Sequence, residues 1–241
     1  MTSRSILHRV STLSAVLIAS ACGSGMLDAG HLTAPSGGGG AAPGSPANYV
    51  GVIGDSLKQG TASITVAPSL SVTGVLTFAG GPTVPVTGTV DTAAGIMRAS
   101  GGGYTLQGFT NLGTLSGFYT GLGSNGFLVA SSDSLTGATH RTYCGVYTST
   151  NSNGRFSIQV LSGGAAGGFV AQTSGTAVSS LFTGNVINNQ TFLGVTNTGV
   201  GINGSLSTDL STITGTYAPP VAISTGPNTA TGQFSATIGG C

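Results

Sequence analysis

The chain predicts an all-β fold: an antiparallel up-and-down meander, used twice by internal duplication, that closes into two eight-stranded β-barrels. One larger barrel or a two-sheet sandwich are the alternatives. Three observations carry this expectation. The composition lacks the residues that cover surface helices. The apolar residues fall in short alternating runs separated by turn residues. The order of those runs is repeated about 94 residues further on.

The composition bears on both class and partners. The 241 residues include 43 glycines and only 5% charged side chains. All the acidic residues are Asp (28, 55, 91, 133 and 209), Glu is absent, and Lys58 is the only lysine. Glu and Lys are the usual coat of exposed helices, and Gly weakens helix interiors. Thr, Ser, Val, Ile and Phe take their place, which favours strands joined by tight turns. Beyond the first two dozen residues the only basic side chains are Lys58, Arg98, Arg141 and Arg155. No basic surface can neutralise a phosphate backbone, so nucleic acid is not an expected partner. The exterior is expected to consist of hydroxyl and amide groups.

Residues 1–21 read as a secretory leader. Arg4 and Arg9 give a basic start, Val16-Leu17-Ile18 end a short apolar stretch, and Ala19-Ser20-Ala21 precede Cys22. The apolar stretch is too short for a spanning helix. The run from Ala19 to Cys22 resembles the lipobox of bacterial lipoproteins, with Ala19 where Leu is usual. The resemblance implies that Cys22 is lipidated and becomes the first residue of the mature chain. Its partner would be a membrane, reached through that anchor. The location would be the bacterial cell envelope, at the periplasmic or surface face of the outer membrane. Residues 22–47 then form a tether, since Gly37 to Gly40 and Pro43-Gly44-Ser45-Pro46 have no apolar period and Gly/Ser-rich chain is flexible coil.

The two barrel repeats are placed at 48–140 and 141–241. Tyr49-Val50-Gly51-Val52 opens the first and Tyr143-Cys144-Gly145-Val146 the second. Further matches follow in the same order. Ala62–Val66 corresponds to Arg155–Val160, Val86–Val90 to Phe182–Val186, Leu115–Tyr119 to Ile213–Tyr217, and Gly126–Ala130 to Gly232–Ala236. Shared order at a long period takes precedence over local motifs. In the second repeat the strands are expected near 142–149, 154–161, 167–174, 179–187, 190–197, 200–206, 211–217 and 230–238. Asn125-Gly126, Asn153-Gly154, Asn188-Asn189 and Asp209 are expected to make the turns. With Cys22 lipidated, Cys144 and Cys241 remain as an even pair in an oxidising compartment. They lie in the first strand and after the last strand of one repeat. A disulfide between them would staple the seam of a closed barrel.

Chemistry is sparse. Val52-Ile53-Gly54-Asp55-Ser56-Leu57 resembles the first block of the GDSL (SGNH) hydrolases, which implies Ser56 as an ester-attacking nucleophile. That family also needs a Gly-x-Asn-Asp block and an Asp-x-x-His pair. The first is missing, and the only His of the folded part, His140, follows Asp133 by seven residues. In the second repeat the same slot, Thr148 to Ser152, is a polar turn. Asp55, Asp91, Asp133 and Asp209 sit in turn-like contexts, where Asp bonds its own backbone. No metal-ligand spacing or phosphate-binding glycine loop is present, so no metal or cofactor is expected. Lipobox, tether and eight-stranded repeats together resemble surface lipoproteins of the transferrin-binding-protein type, with Ser116-Gly117-Phe118-Tyr119-Thr120-Gly121 similar to their Gly-x-Phe-Tyr-Gly run. The charged handle domains of those proteins have no counterpart here, so their partner does not transfer. The expectation is a non-enzymatic envelope lipoprotein that presents barrel modules for binding or a structural role. A GDSL-like hydrolase using Ser56 and an integral outer-membrane barrel are the alternatives.

Overall fold

The computed structural model describes residues 45–150, 152–175, 179–188, 190–218 and 231–241. The leader, Cys22 and the tether up to residue 44 therefore lie outside the described residues, as does Asn189. Within these described residues, sixteen strands form two closed antiparallel barrels. The first contains β1 (Ala47–Gly54), β2 (Gln59–Val66), β3 (Ser71–Phe78), β4 (Thr83–Asp91), β5 (Ile96–Gly101), β6 (Tyr104–Asn111), β7 (Thr114–Gly121) and β8 (Ser124–Ser131). A single helical turn, α1 (Asp133–Thr136), leads to the second. That barrel contains β9 (His140–Ser149), β10 (Ser152–Leu161), β11 (Ala165–Gly175), β12 (Ser180–Ile187), β13 (Thr191–Thr196), β14 (Gly201–Leu206), β15 (Thr212–Ala218) and β16 (Gly232–Ile238). All eight strands expected in the second repeat are present, and the expected two-barrel closure is the one observed.

The duplication extends to register. Tyr49 pairs with Ile64 across β1 and β2, and Tyr143 with Ile158 across β9 and β10. At the seams, Val50 pairs with Ser131 and Cys144 with Thr237. Leu115 pairs with Ala130, and Ile213 with Ala236. Strict alternation sets the two faces. Around the outside of the first barrel one cross-strand row reads Asn48, Thr65, Thr73, Thr87, Ser100, Thr105, Thr120, Asn125, and every member is exposed. This is the hydroxyl and amide exterior expected from the composition.

The interiors are packed with side chains, as an eight-stranded barrel allows. Ile53, Ile64, Leu76, Met97, Leu106 and Leu115 are completely buried in the first. The second is built on rings: Phe156 stacks on Phe234 at 4.2 Å and on Phe182 at 5.2 Å. Large rings face glycines on the neighbouring strand. A Cβ on Gly168 would stand 2.6 Å from Cζ of its pair-mate Phe182, and one on Gly215 2.6 Å from Cζ of Phe234. Glycine here makes room for the ring rather than for a turn.

Two of the expected turns are corrected. Asn125-Gly126 lies inside β8, and Asn153-Gly154 inside β10, where the ladder bulges. Three hairpins of the first barrel turn on Gly102-Gly103, Leu112-Gly113 and Leu122-Gly123, each with both residues at positive φ. That is the two-residue geometry that follows strand twist. Gly126 is held in its strand because a Cβ there would fall 2.5 Å from the ring of Tyr119, its cross-strand partner. Leu70 (φ 64°), in the β2–β3 turn, and Leu210 (φ 58°), in the β14–β15 turn, pack against the first and second cores respectively. The left-handed backbone costs a leucine roughly 1–2 kcal/mol, which the half-buried side chain helps to offset.

The barrels meet side by side. Val52 and Val129 of the first pack against Cys144, Phe169 and Ala171 of the second, and Phe127 stacks on Phe169 at 5.9 Å. Two buried glutamines cross this contact in opposite directions. Gln59 Nε2 donates to the Phe156 carbonyl (2.9 Å) and to Ser157 Oγ (2.8 Å). Gln159 Nε2 donates to the Val50 carbonyl (2.8 Å) and to Ser131 Oγ (2.7 Å). Arg155 adds a bond from its guanidinium to the Leu57 carbonyl at 2.7 Å.

Cys144 and Cys241 are joined by a disulfide across the β9–β16 seam, closing a sequence separation of 97 residues. A loop of that length is worth at most about 4–5 kcal/mol in the chain-entropy description. Replacing both cysteines by alanine should therefore lower the urea midpoint, with a loss of up to that amount. A midpoint that neither the double substitution nor a reductant moves would contradict the seam role.

Candidate functional site

Every second turn of the first barrel lies at one end: residues 55–58, 79–82, 102–103 and 122–123. The chain at the first of these is Asp55-Ser56-Leu57-Lys58, the segment resembling the hydrolase motif. Asp55 is buried, at 2% exposure. Its Oδ1 accepts the amides of Leu57 (2.6 Å) and Lys58 (3.0 Å), which fixes the turn. Its Oδ2 accepts the hydroxyl of Tyr119, from β7. The turn role expected for Asp55 is thus observed, and so are those of Asp91, on the amides of Ala93 and Ala94, and Asp209, on that of Ser211.

Holding the turn this way sends Lys58 over the barrel end. Its Nζ lies 4.5 Å from the ring centre of Phe78 and 4.6 Å from that of Tyr104, and it donates to Tyr104 Oη at 2.6 Å. Phe78, Tyr104 and Tyr119 pack together with centroids 5.5–5.9 Å apart, and the first two form the floor. Above them an open cavity of about 490 Å³ is walled by Ala79, Pro82, Val84, Pro85 and Leu122. Leu122 stands on the rim at 71% exposure. The arrangement combines an apolar wall, one cation and one phenol, which is the usual make-up of a small-molecule site.

The sequence-expected site residues lie elsewhere. Ser56 is half-buried in the β1–β2 turn, in the slot matched by the β9–β10 turn of the second repeat. His140 Nδ1 pairs with Asp133 Oδ1 at 2.5 Å beside α1. The structure does not bring Ser56 and His140 together. The turn carrying Ser56 is held against Arg155 through Leu57, whereas His140 pairs with Leu161, six residues further along β10. At the rise of a strand that is roughly 20 Å. Cys144 and Cys241 are joined as expected, and Cys22 is outside the described residues. No group of three or more His, Cys, Asp or Glu able to hold a metal occurs among the described residues.

Lys58, Tyr104 and Phe78 were not singled out as a site by the sequence, because 46 residues separate the lysine from the phenol. The solitary lysine in a hydroxyl-rich chain was the one available signal. Compared with known proteins, the chain matches no family model, no curated protein and no solved structure.

Burial, reinforced by the Asp55 carboxylate, holds the Tyr119 hydroxyl far above the ordinary phenol range. Burial also raises Tyr49, Tyr143, Tyr147 and Tyr217. An unfolded chain ionises its tyrosines near 10. The folded state holds these protons longer, so their contribution is complete below pH ~10 and is lost as pH rises from there through the folded values. Tyrosinate absorbance should therefore grow together with loss of the strand circular-dichroism signal. Ionisation of these five tyrosines near pH ~10 with the fold intact would contradict this. Tyr119→Phe leaves Asp55 Oδ2 without its donor and should cost about 1.5–3 kcal/mol in urea unfolding at neutral pH.

Proposed function

We propose that the chain is a lipid-anchored envelope protein of bacteria, without enzymatic activity, whose paired barrels form one rigid head that binds through the open end of the first barrel. The observation that carries this reading is the cavity at that end, with a cation and a phenol on its floor, in a barrel that is otherwise filled. The head is suited to presentation. The two cores are joined by an apolar contact and by two crossing buried glutamines, so the barrels hold a fixed mutual orientation. The exposed row of Thr, Ser and Asn around the first barrel supports an aqueous surrounding, since strands embedded in lipid present an apolar band outwards. The disulfide supports an oxidising compartment.

The anchor rests on the sequence from Ala19 to Cys22, followed by a Gly/Ser/Pro-rich tether. A diacylglyceryl or triacyl modification on Cys22 holds the head at the membrane, and the tether gives it reach. In a bacterial host the protein should sediment with membranes and require detergent for release. The mass of its N-terminal peptide should exceed that of the unmodified sequence starting at Cys22 by the mass of the lipid. Cys22→Ser should move the protein to the soluble fraction with an unchanged circular-dichroism spectrum. A wild-type chain recovered soluble with an unmodified N-terminal peptide would end the anchored reading.

A further inference from the structure

We propose that the mouth of the first barrel is a site for small apolar carboxylates, with the carboxylate held between Lys58 and Tyr104; this rests on the reading of that end as the binding end. The hydrogen-bond inventory points to an anion. Lys58 carries three N–H donors, and the structure uses one of them, on Tyr104 Oη. Since Tyr104 accepts in that bond, its own O–H proton is free to donate outwards. Two further ammonium protons and one phenol proton therefore converge on the floor of the cavity. Among the described residues no carboxylate lies within ion-pair distance of Lys58. The nearby Asp55 does not serve, because its two oxygens are already taken by the Leu57 and Lys58 amides and by the Tyr119 hydroxyl. The two rings beneath Lys58 fix the ammonium in place by cation–π attraction.

The rest of the ligand is set by the walls. Ala79, Pro82, Val84, Pro85 and Leu122 offer no charge, and about 490 Å³ is the volume of a small-molecule pocket. An apolar body with one carboxylate matches both features. A phosphate or a multiply charged acid would leave charge against the prolines, and a cation would meet Lys58.

The test is calorimetric titration of the purified full chain with three probes that share an eight-carbon body: octanoate, octanol and octylammonium. Octanoate should bind saturably and at least about tenfold more tightly than the other two. A charge-assisted hydrogen bond supports a factor of that size or larger. Lys58→Met should reduce octanoate affinity about tenfold or more and leave octanol unchanged. Tyr104→Phe should reduce it several-fold, and this variant carries the comparison if Lys58→Met does not fold. Gly81→Trp places a reporter on the rim of a chain that has no other tryptophan; a Cβ there meets only Phe78, at 3.5 Å or more. Its emission should shift with octanoate. Equal binding of octanoate and octanol, or an effect of neither substitution, would overturn the carboxylate assignment while leaving the mouth as a binding end. No binding of any probe would overturn the assignment and the binding end together.

Discussion

Closing eight strands fixes the room inside a barrel, and several of its large rings are matched by a cross-strand neighbour with no side chain. This constraint organises the molecule. Phe182 lies over Gly168, Phe234 over Gly215, Tyr119 over Gly126 and Tyr217 over Gly232, each pair joined across adjacent strands. The rings supply buried area and the glycines supply curvature and space. Neither is useful without the other: a Cβ at any of these four glycines would fall within 2.6 Å of its ring. The high glycine content is therefore a packing statement. Away from the contact between the barrels, rows of Thr, Ser and Asn cover much of the exterior with very little charge.

The same constraint explains what could be read from the sequence. Alternation and the repeated order of strands are imposed by closure, so both barrels, their order and the Cys144–Cys241 seam were legible. Two of the expected turn positions were not. Asn-Gly is a strong hairpin signal, yet at Asn125-Gly126 and Asn153-Gly154 the glycine is claimed by a tyrosine ring, Tyr119 in one case and Tyr147 in the other. In the first case the turn then falls on Leu122-Gly123, a pair that local propensity would not choose. The mouth was illegible for a different reason. Lys58, Phe78 and Tyr104 come from three separate strands or turns, and only the register of the closed sheet brings them together. The contact between barrels likewise rests on Gln59 and Gln159, which look like ordinary solvent-facing positions in an alternating strand.

Matching registers allow position-by-position comparison of the two repeats, and the differences fall where the repeats have different surroundings. Thr61 and Thr65 of β2 correspond to Arg155 and Gln159 of β10, and Val50 to Cys144. In the first repeat Thr65 is exposed on the hydroxyl row; in the second, Gln159 and Arg155 reach into the neighbouring barrel. Two identical barrels would have no such directional contact. The substitutions that distinguish the second copy on this face are the ones that convert two modules into one head.

The barrel ends diverge in the opposite sense. Asp55 and Lys58 of the first repeat correspond to Ser149 and Ser152 of the second. Tyr119 and Tyr217 occupy equivalent places above equivalent glycines. The framework of the end is thus kept in both copies, while the charged pair is found only in the first. In the second copy Ser152 Oγ lies within 3.3 Å of Tyr147 Oη and bonds the Ser174 carbonyl, so its hydroxyl serves the local structure. In the first, Asp55 takes up the structural role at the turn and so frees Lys58 to face the cavity. One carboxylate buried to fix a turn, and one ammonium left facing outwards, is an arrangement that barrel closure does not require. The two copies thus share the framework of this end and differ in its charge: Asp55 holds the turn and Lys58 lies over the rings of Phe78 and Tyr104.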